Sequence, residues 1–208
     1  DAAAGTRAML RVTASSLYRA WLNGEFLGHG PARGPHGFFR VDEWDLAGRL
    51  HPGRNLVAIE VAGYNANSYY LLDQPSFLQA EVVSSGTVLA STEGGGAPFR
   101  ASVLADRLQK VERYSFQRTF SEVYRLRPNW DAWRRDASAV VAPVKLSALP
   151  ARRLLPRRLP YPDFVQRRPL AQISEGTVQS GPVPAKLWKS RGLVAVGDRL
   201  KGFPEAEL

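Results

Sequence analysis

Short apolar runs separated by turn residues fill the chain from residue 9 to about residue 126. Residues 56–61 are apolar on both faces, as expected for a central strand of a sandwich. Almost no stretch has the 3.6-residue period of a long amphipathic helix. The pattern therefore predicts an all-β sandwich or barrel rather than alternating strands and helices.

Turn residues predict two β-hairpins. Asn23-Gly24 lies between two runs of apolar and aromatic residues, and a type I′ turn needs positive φ at both of its central positions. Ser84-Ser85-Gly86 separates two further apolar runs in the same way. Residues 28–37 hold four glycines and two prolines, which predicts a loop.

The composition of the chain changes after Pro128, where prolines and arginines become frequent. Residues 129–136 predict a short helix capped by Asn129, and the prolines that follow are expected to break any regular element. We therefore expect three parts. They are a β-sandwich over residues 8–127, a Pro- and Arg-rich extended strap over residues 128–169, and the start of a further β segment over residues 170–208.

The amino-acid composition limits which kinds of fold and functional site the chain can have. The chain has 208 residues, of which 44% are hydrophobic, so a sizeable core is expected. It has no cysteine, which excludes disulfides, thiolate zinc sites and cysteine nucleophiles but leaves the compartment open. No apolar run reaches the roughly 18 to 20 residues of a membrane helix, and the first seven residues do not resemble a signal peptide, so no membrane association is expected.

The net charge of +9 raises the question of a polyanionic partner. Between Pro143 and Pro169 the chain has seven cations and one acid, Asp163. A single-strand binder interleaves aromatic rings with cations, and this segment has only Tyr161 and Phe164. A basic nucleic-acid or polyanion binder is thus an alternative, while salt bridges to an acidic neighbouring domain are favoured.

Three segments carry a family resemblance: "YRAWLNGEFLGHGPARG", "VDEWDLAGRLHPGRNLVAIEV" and "SFLQAEVVSSG". Together they resemble the N-terminal jelly-roll domain of bacterial α-L-rhamnosidases, glycoside hydrolase family 78. The Asn-Gly hairpin followed by Pro-Gly-Arg-Asn and a core strand also occurs in galactose-binding-like domains of β-galactosidases and β-mannosidases. The expected fold is therefore a jelly-roll or galactose-binding-like β-sandwich.

The resemblance implies an inverting glycosidase whose two catalytic carboxylates lie in a separate (α/α)₆ barrel. Such a barrel needs several hundred residues of helix, so this chain is expected to carry no catalytic residue and no cofactor. It would be an accessory domain that packs on the catalytic barrel of the same parent, in a periplasmic or secreted bacterial protein. The alternative is an independent carbohydrate-binding module.

Sugar sites combine an aromatic ring for the apolar face of a pyranose with polar side chains for its hydroxyls. The loop that follows residue 63 has both ingredients, and so has the region around residues 36 to 44. The candidate carbohydrate-binding residues are Tyr64, Asn65, Asn67, Tyr69, Tyr70, His36 and Trp44.

Asp42, Glu43 and Asp45 form the densest acidic cluster. Carboxylates in a jelly roll can hold a structural Ca²⁺, which makes the cluster a calcium candidate. A solvated acidic turn in which Asp45 caps a helical turn is the favoured alternative. The histidines lie beside Gly or Pro in predicted loops without metal-ligand spacing, so no other metal site is expected.

Overall fold

The computed structural model describes residues 1–64, 67, 69, 71–108, 120–139, 144–165 and 167–177. This part of the chain forms nine β-strands in two sheets, with two short 3₁₀ helices and no α-helix, which confirms the predicted all-β, sandwich-like class. None of its helices is long and apolar enough to cross a membrane. The strands are β1 (Met9–Ala14), β2 (Leu17–Leu22), β3 (Glu25–Gly30), β4 (Phe38–Asp45), β5 (Val57–Ala62), β6 (Leu78–Ser84), β7 (Thr87–Ser91), β8 (Ala97–Pro98) and β9 (Arg153–Pro156).

The chain divides into two compact units. The first consists of residues 1–107 and 124–159 and contains every strand named above; the second consists of residues 108–123 and 160–208. The described residues of the second unit contain no strand, and most of the β segment predicted over residues 170–208 lies outside the described residues. The predicted boundaries near residues 127 and 169 stay a prediction.

The larger sheet has six strands in the order β8-β7-β6-β1-β4-β9. β1 lies at its centre, and Leu10 and Val12 point into the core with no exposed surface. Between them Arg11 points to the outer face, where it pairs with Glu43 of β4 at 3.0 Å and Glu81 of β6 at 3.2 Å. Alternation along β1 thus separates an apolar inner face from a charged outer face.

The smaller sheet has three strands in the order β3-β2-β5. Its β2–β3 hairpin turns at Asn23 and Gly24, with φ of 52° and 86°, as predicted for a type I′ turn. The second predicted hairpin is also confirmed, since Ser85 and Gly86 join β6 to β7 with φ of 48° and 79°.

Asn23 and Asn55 join the two turns that carry the family resemblance. The Asn23 amide donates to Asn55 Oδ1 at 2.9 Å, and the Leu56 amide donates to Asn23 Oδ1 at 2.9 Å. Asn55 also closes its own turn by donating to the backbone oxygens of His51 and Gly53. The Asn-Gly and Pro-Gly-Arg-Asn motifs are therefore two halves of one hydrogen-bonded corner.

A buried polar network joins the two sheets. The carboxylate of Asp42 on β4 has no exposed surface, and the hydroxyl of Tyr18 on β2 donates to its Oδ2 at 2.6 Å. The Trp44 indole N–H donates to the same hydroxyl at 2.8 Å. Arg157 completes the network at 2.9 Å from Asp42 Oδ1. Because a buried charge is costly unless it is paired and hydrogen-bonded, these contacts fix how the sheets face each other.

The strap contains a β-strand, β9, although its prolines predict no regular element there. β9 is the edge strand of the larger sheet and pairs in parallel with β4, with Phe38 opposite Arg153 and Val41 opposite Pro156. Arg40 donates to the backbone oxygens of Pro156 and Arg157, both at 3.0 Å. The expectation of no regular element here was wrong because proline is tolerated at the end of an edge strand.

Several cations of the strap are held inside the first unit. The Arg152 guanidinium lies 4.9 Å from the ring centroid of Phe77, and that of Arg153 lies 5.5 Å from Phe38. Arg157 faces Asp42, as described above. Some of the cations of the strap therefore pack against aromatic rings and a carboxylate of the same unit.

We expect Arg157→Met to lower the free energy of unfolding by about 3 to 5 kcal/mol, because it leaves the Asp42 carboxylate buried without its cation. Urea unfolding measures the change. Arg158→Met is the matched control, since Arg158 is exposed. Combining Arg157→Met with Asp42→Asn should recover much of the loss. Equal, small effects of Arg157→Met and Arg158→Met would contradict the role of the pair.

Gly30→Ala should destabilise the fold by about 1 to 3 kcal/mol through overpacking. A Cβ at Gly30 would overlap Asp42 Oδ2 and lie 3.0 Å from the Tyr18 hydroxyl. Gly176→Ala is the control because a Cβ at Gly176 meets no atom within 4 Å. Thermal unfolding of both variants tests the difference, and an unchanged midpoint for Gly30→Ala would show that the network can move aside.

Candidate functional site

The outer face of the three-stranded sheet carries a second enclosed acid. Glu60 on β5 is 5% exposed, and directly opposite it Arg19 on β2 donates to its Oε2 from NH2 at 2.7 Å. The Tyr124 hydroxyl donates to Glu60 Oε1 at 2.8 Å, and Arg107 lies 3.7 Å from the same oxygen. Segments outside the sheet thus supply two of these three partners of Glu60.

Residues 124–139 cover this face through aromatic contacts. The Trp133 ring meets the Trp21 ring edge-on, with centroids 5.2 Å apart. The Arg134 guanidinium lies 4.5 Å from the ring centroid of Trp21, 4.8 Å from Trp130 and 5.3 Å from Trp133. Burial lowers the pKa of Arg134. The arginine and three indoles hold one another in place.

A cleft of about 350 Å³ opens beside this cluster, between residues 102–107 and residues 127–133. Tyr124, Trp130 and Trp133 line it together with Asp106, Arg107 and Asn129. A volume of this size lies at the lower end of the range for small-molecule sites, about 300 to 1,000 Å³. The cleft therefore combines rings with hydrogen-bonding groups.

A wider groove of about 610 Å³ lies between residues 5–7 and residues 45–50. The described residues that line it include no aromatic ring, and its carboxylate, that of Asp45, accepts from the Ala47 amide at 2.8 Å. The described residues of the groove therefore provide no ring on which a ligand could stack, and the Asp45 carboxylate is already hydrogen-bonded. We take the cleft as the candidate site.

The structure disperses the residues predicted to bind carbohydrate. Tyr64 lies next to the cleft, where its hydroxyl accepts from Arg107 at 3.3 Å. Asn67 accepts from the Asp73 amide at 2.8 Å, and Tyr69 is 66% exposed. Asn65 and Tyr70 lie outside the described residues.

The other two carbohydrate candidates lie elsewhere. Trp44 is 9% exposed and donates to Tyr18, which is the setting of a core residue. His36 is exposed in the loop between β3 and β4. The structure therefore places Trp44 in the core rather than at an open surface. Tyr64 contacts Arg107, which lines the cleft.

The three acids of the calcium candidate point in different directions. Asp42 faces the core, Glu43 pairs with Arg11 on the outer face, and Asp45 caps a turn as the favoured alternative predicted. Within the described residues, no group of three or more His, Asp or Glu side chains is placed to hold a metal ion.

The sequence interpretation missed the residues of the cleft. Residues 129–136 were expected to form a helix capped by Asn129, but the structure has a 3₁₀ turn at Ala132–Arg134, and Asn129 has φ of 60°. The spacing of Trp130 and Trp133 was the available signal, because two large rings three residues apart share one side of a helical turn.

Asp42 and Glu60 do not form a catalytic pair. They lie on opposite sides of the three-stranded sheet, since Asp42 contacts Tyr18 while Glu60 lies opposite Arg19, the next residue along β2. Each carboxylate is also paired with arginine. Glycosidases need two carboxyl groups that face one substrate, and these two do not.

A comparison with solved structures finds the GH78 family rhamnosidase of Bacillus sp. GL1, with a TM-score of 0.63 and 28% sequence identity. The chain resembles part of a GH78 rhamnosidase. The match covers 77% of this chain and 17% of the rhamnosidase, so the chain corresponds to a small part of that protein. No family model matches the sequence, and no curated protein matches it significantly. The resemblance to GH78 rhamnosidases predicted from sequence is confirmed.

Burial and the hydrogen bond to Glu60 raise the pKa of Tyr124 to about 12, from an ordinary 10.0. An unfolded chain releases this proton near pH 10, so the stability that the phenol contributes is complete below about pH 10 and is lost as the pH rises to about 12. We expect Tyr124→Phe to flatten the fall in stability over that interval.

Urea unfolding across the alkaline range measures this effect, with Tyr69→Phe as the control at an exposed ring. Ultraviolet absorbance of tyrosinate should show one late-titrating phenol in the folded parent that is missing from Tyr124→Phe. Parallel stability curves for the parent and Tyr124→Phe would refute the coupling to Glu60.

Proposed function

We propose that this chain is a non-catalytic accessory domain of an α-L-rhamnosidase-like glycoside hydrolase. The observation that carries the proposal is the match to part of a GH78 rhamnosidase, which extends over 77% of this chain but 17% of that protein. Most of such an enzyme would therefore lie outside the region that this chain resembles. The jelly-roll connectivity expected from the resemblance belongs to the same proposal.

The site chemistry supports a non-catalytic role. Hydrolysis with inversion needs two carboxyl groups about 6.5 to 9.5 Å apart with water between them. Among the described residues the two most enclosed acids are Asp42 and Glu60, which are bound by arginine and tyrosine and face opposite ways. In this proposal the catalytic pair lies in an (α/α)₆ barrel of the same parent, on which the present domain packs.

The proposal includes a contact with carbohydrate. The cleft beside Tyr64 supplies rings and polar groups, and the loop with Asn67 and Tyr69 remains a predicted sugar contact. An independent carbohydrate-binding module would use the same features, and it would bind sugar without any neighbouring catalytic domain.

An activity assay separates these roles. We expect the 208-residue chain to release no p-nitrophenol from p-nitrophenyl α-L-rhamnopyranoside. A parent polypeptide that also contains the helical barrel should hydrolyse this substrate. Turnover by the chain alone that disappears in Glu60→Gln would overturn the non-catalytic assignment. A parent that hydrolyses other glycosides but not the rhamnoside would overturn the rhamnosidase assignment.

A further inference from the structure

The cleft holds hydrogen-bonding groups that the fold does not use. Trp130 and Trp133 are partly exposed, and neither indole N–H has a hydrogen-bond partner among the described residues. The Asn129 amide is exposed and likewise makes no side-chain hydrogen bond within the described part of the chain. Two donors and one amide that both donates and accepts thus belong to residues that line one small cavity.

An acceptor, Asp106, also lines the cleft. Arg127 donates to Oδ1 of Asp106 through two nitrogens, one of them Nε at 2.7 Å. The second carboxylate oxygen, Oδ2, has no partner among the residues that the structure describes. The cleft therefore offers both donors and an acceptor, which is what a group of neighbouring hydroxyls requires.

The two arginines among the described residues that line the cleft already have carboxylate partners. Arg127 is paired with Asp106, and Arg107 lies 3.7 Å from Glu60 and donates to Tyr64. A phosphate or carboxylate ligand would have to compete with these carboxylates for the arginines. Because these arginines are already paired and indole rings line the cleft, a neutral, hydroxyl-rich ligand that also has an apolar face is favoured.

The rings are positioned before any ligand arrives. Arg134 contacts both Trp130 and Trp133, and the Tyr124 ring lies 5.4 Å from that of Trp130. Binding to rings that are already immobilised avoids much of the entropy cost of ordering side chains.

We propose that this cleft is a binding site for a neutral pyranoside, with Trp130, Trp133 and Asn129 as its contacts and Asp106 as an acceptor. This inference rests on the proposed role beside a glycoside hydrolase, because it identifies the ligand class of the carbohydrate contact. It places that contact in the cleft rather than on the loop that carries Tyr69.

Titration of the 208-residue protein with methyl α-L-rhamnopyranoside, followed by tryptophan fluorescence, tests the site. We expect saturable quenching. Trp130→Ala should weaken binding about tenfold, and Asn129→Gly about threefold to tenfold. Asn129→Gly keeps the positive φ of this position, so it removes the amide without disturbing the fold. Tyr161→Ala removes another exposed ring that does not line the cleft, so it is the matched control and should bind like the parent. Tyr69→Ala distinguishes the loop from the cleft.

Three results would overturn the inference: no saturable signal, equal binding by the parent and both cleft variants, or tighter binding of glucuronate than of the neutral glycoside. Loss of binding in Tyr69→Ala alone would place the sugar on the loop and would likewise reject the cleft. Thermal unfolding verifies that each variant is folded. None of these results bears on the rhamnosidase assay of the parent, so the two proposals fail separately.

Discussion

A carboxylate enclosed between two β-sheets has to be neutralised where it lies, and the architecture of the first unit follows from how Asp42 meets this requirement. Its partners come from different parts of the chain: Tyr18 from the smaller sheet and Arg157 from the end of the strap. Trp44 then fixes the Tyr18 hydroxyl from the same strand as Asp42. The Asp42 carboxylate thereby fixes both the relative orientation of the two sheets and the position of β9.

Glu60 repeats this solution on the other side of the smaller sheet. Arg19, Tyr124 and Arg107 surround it, and the indoles of residues 124–139 cover it from outside. The unit is thus built around two enclosed acids in separate layers, each neutralised by arginine. Part of the basic composition, which on its own resembles that of a polyanion binder, is used in this internal pairing and in contacts with aromatic rings.

Local chemistry made much of the fold predictable. Both hairpins follow from residues that tolerate positive φ, Asn23-Gly24 and Ser85-Gly86, and the all-β class follows from the strand patterns. Asn55 explains why the two motifs of the resemblance occur together, since it bonds to Asn23 across the corner. Each of these features depends on residues that are close together in the sequence or on two motifs that can be recognised together.

The cleft and the strap were not predictable in the same way. Asp42 and Arg157 are 115 residues apart, and nothing near either residue specifies the other. The position of the Trp130 ring depends on Arg134, which also contacts Trp21, more than a hundred residues earlier, so local sequence does not specify it. The burial of Asp42 and Trp44 follows from alternation along β4, and that becomes evident only once the pairing of β4 with β1 is known.

The distant origin of β9 has a consequence for synthesis on the ribosome. Residues 38–41 emerge from the exit tunnel long before residues 153–156, so the edge of the larger sheet stays open while the intervening segment is translated. During that interval Asp42 lacks its guanidinium, and an unpaired strand edge is available to other chains. A nascent chain of this protein therefore completes its first unit late, and a gene fragment that stops at residue 127 encodes a sandwich with one border unprotected.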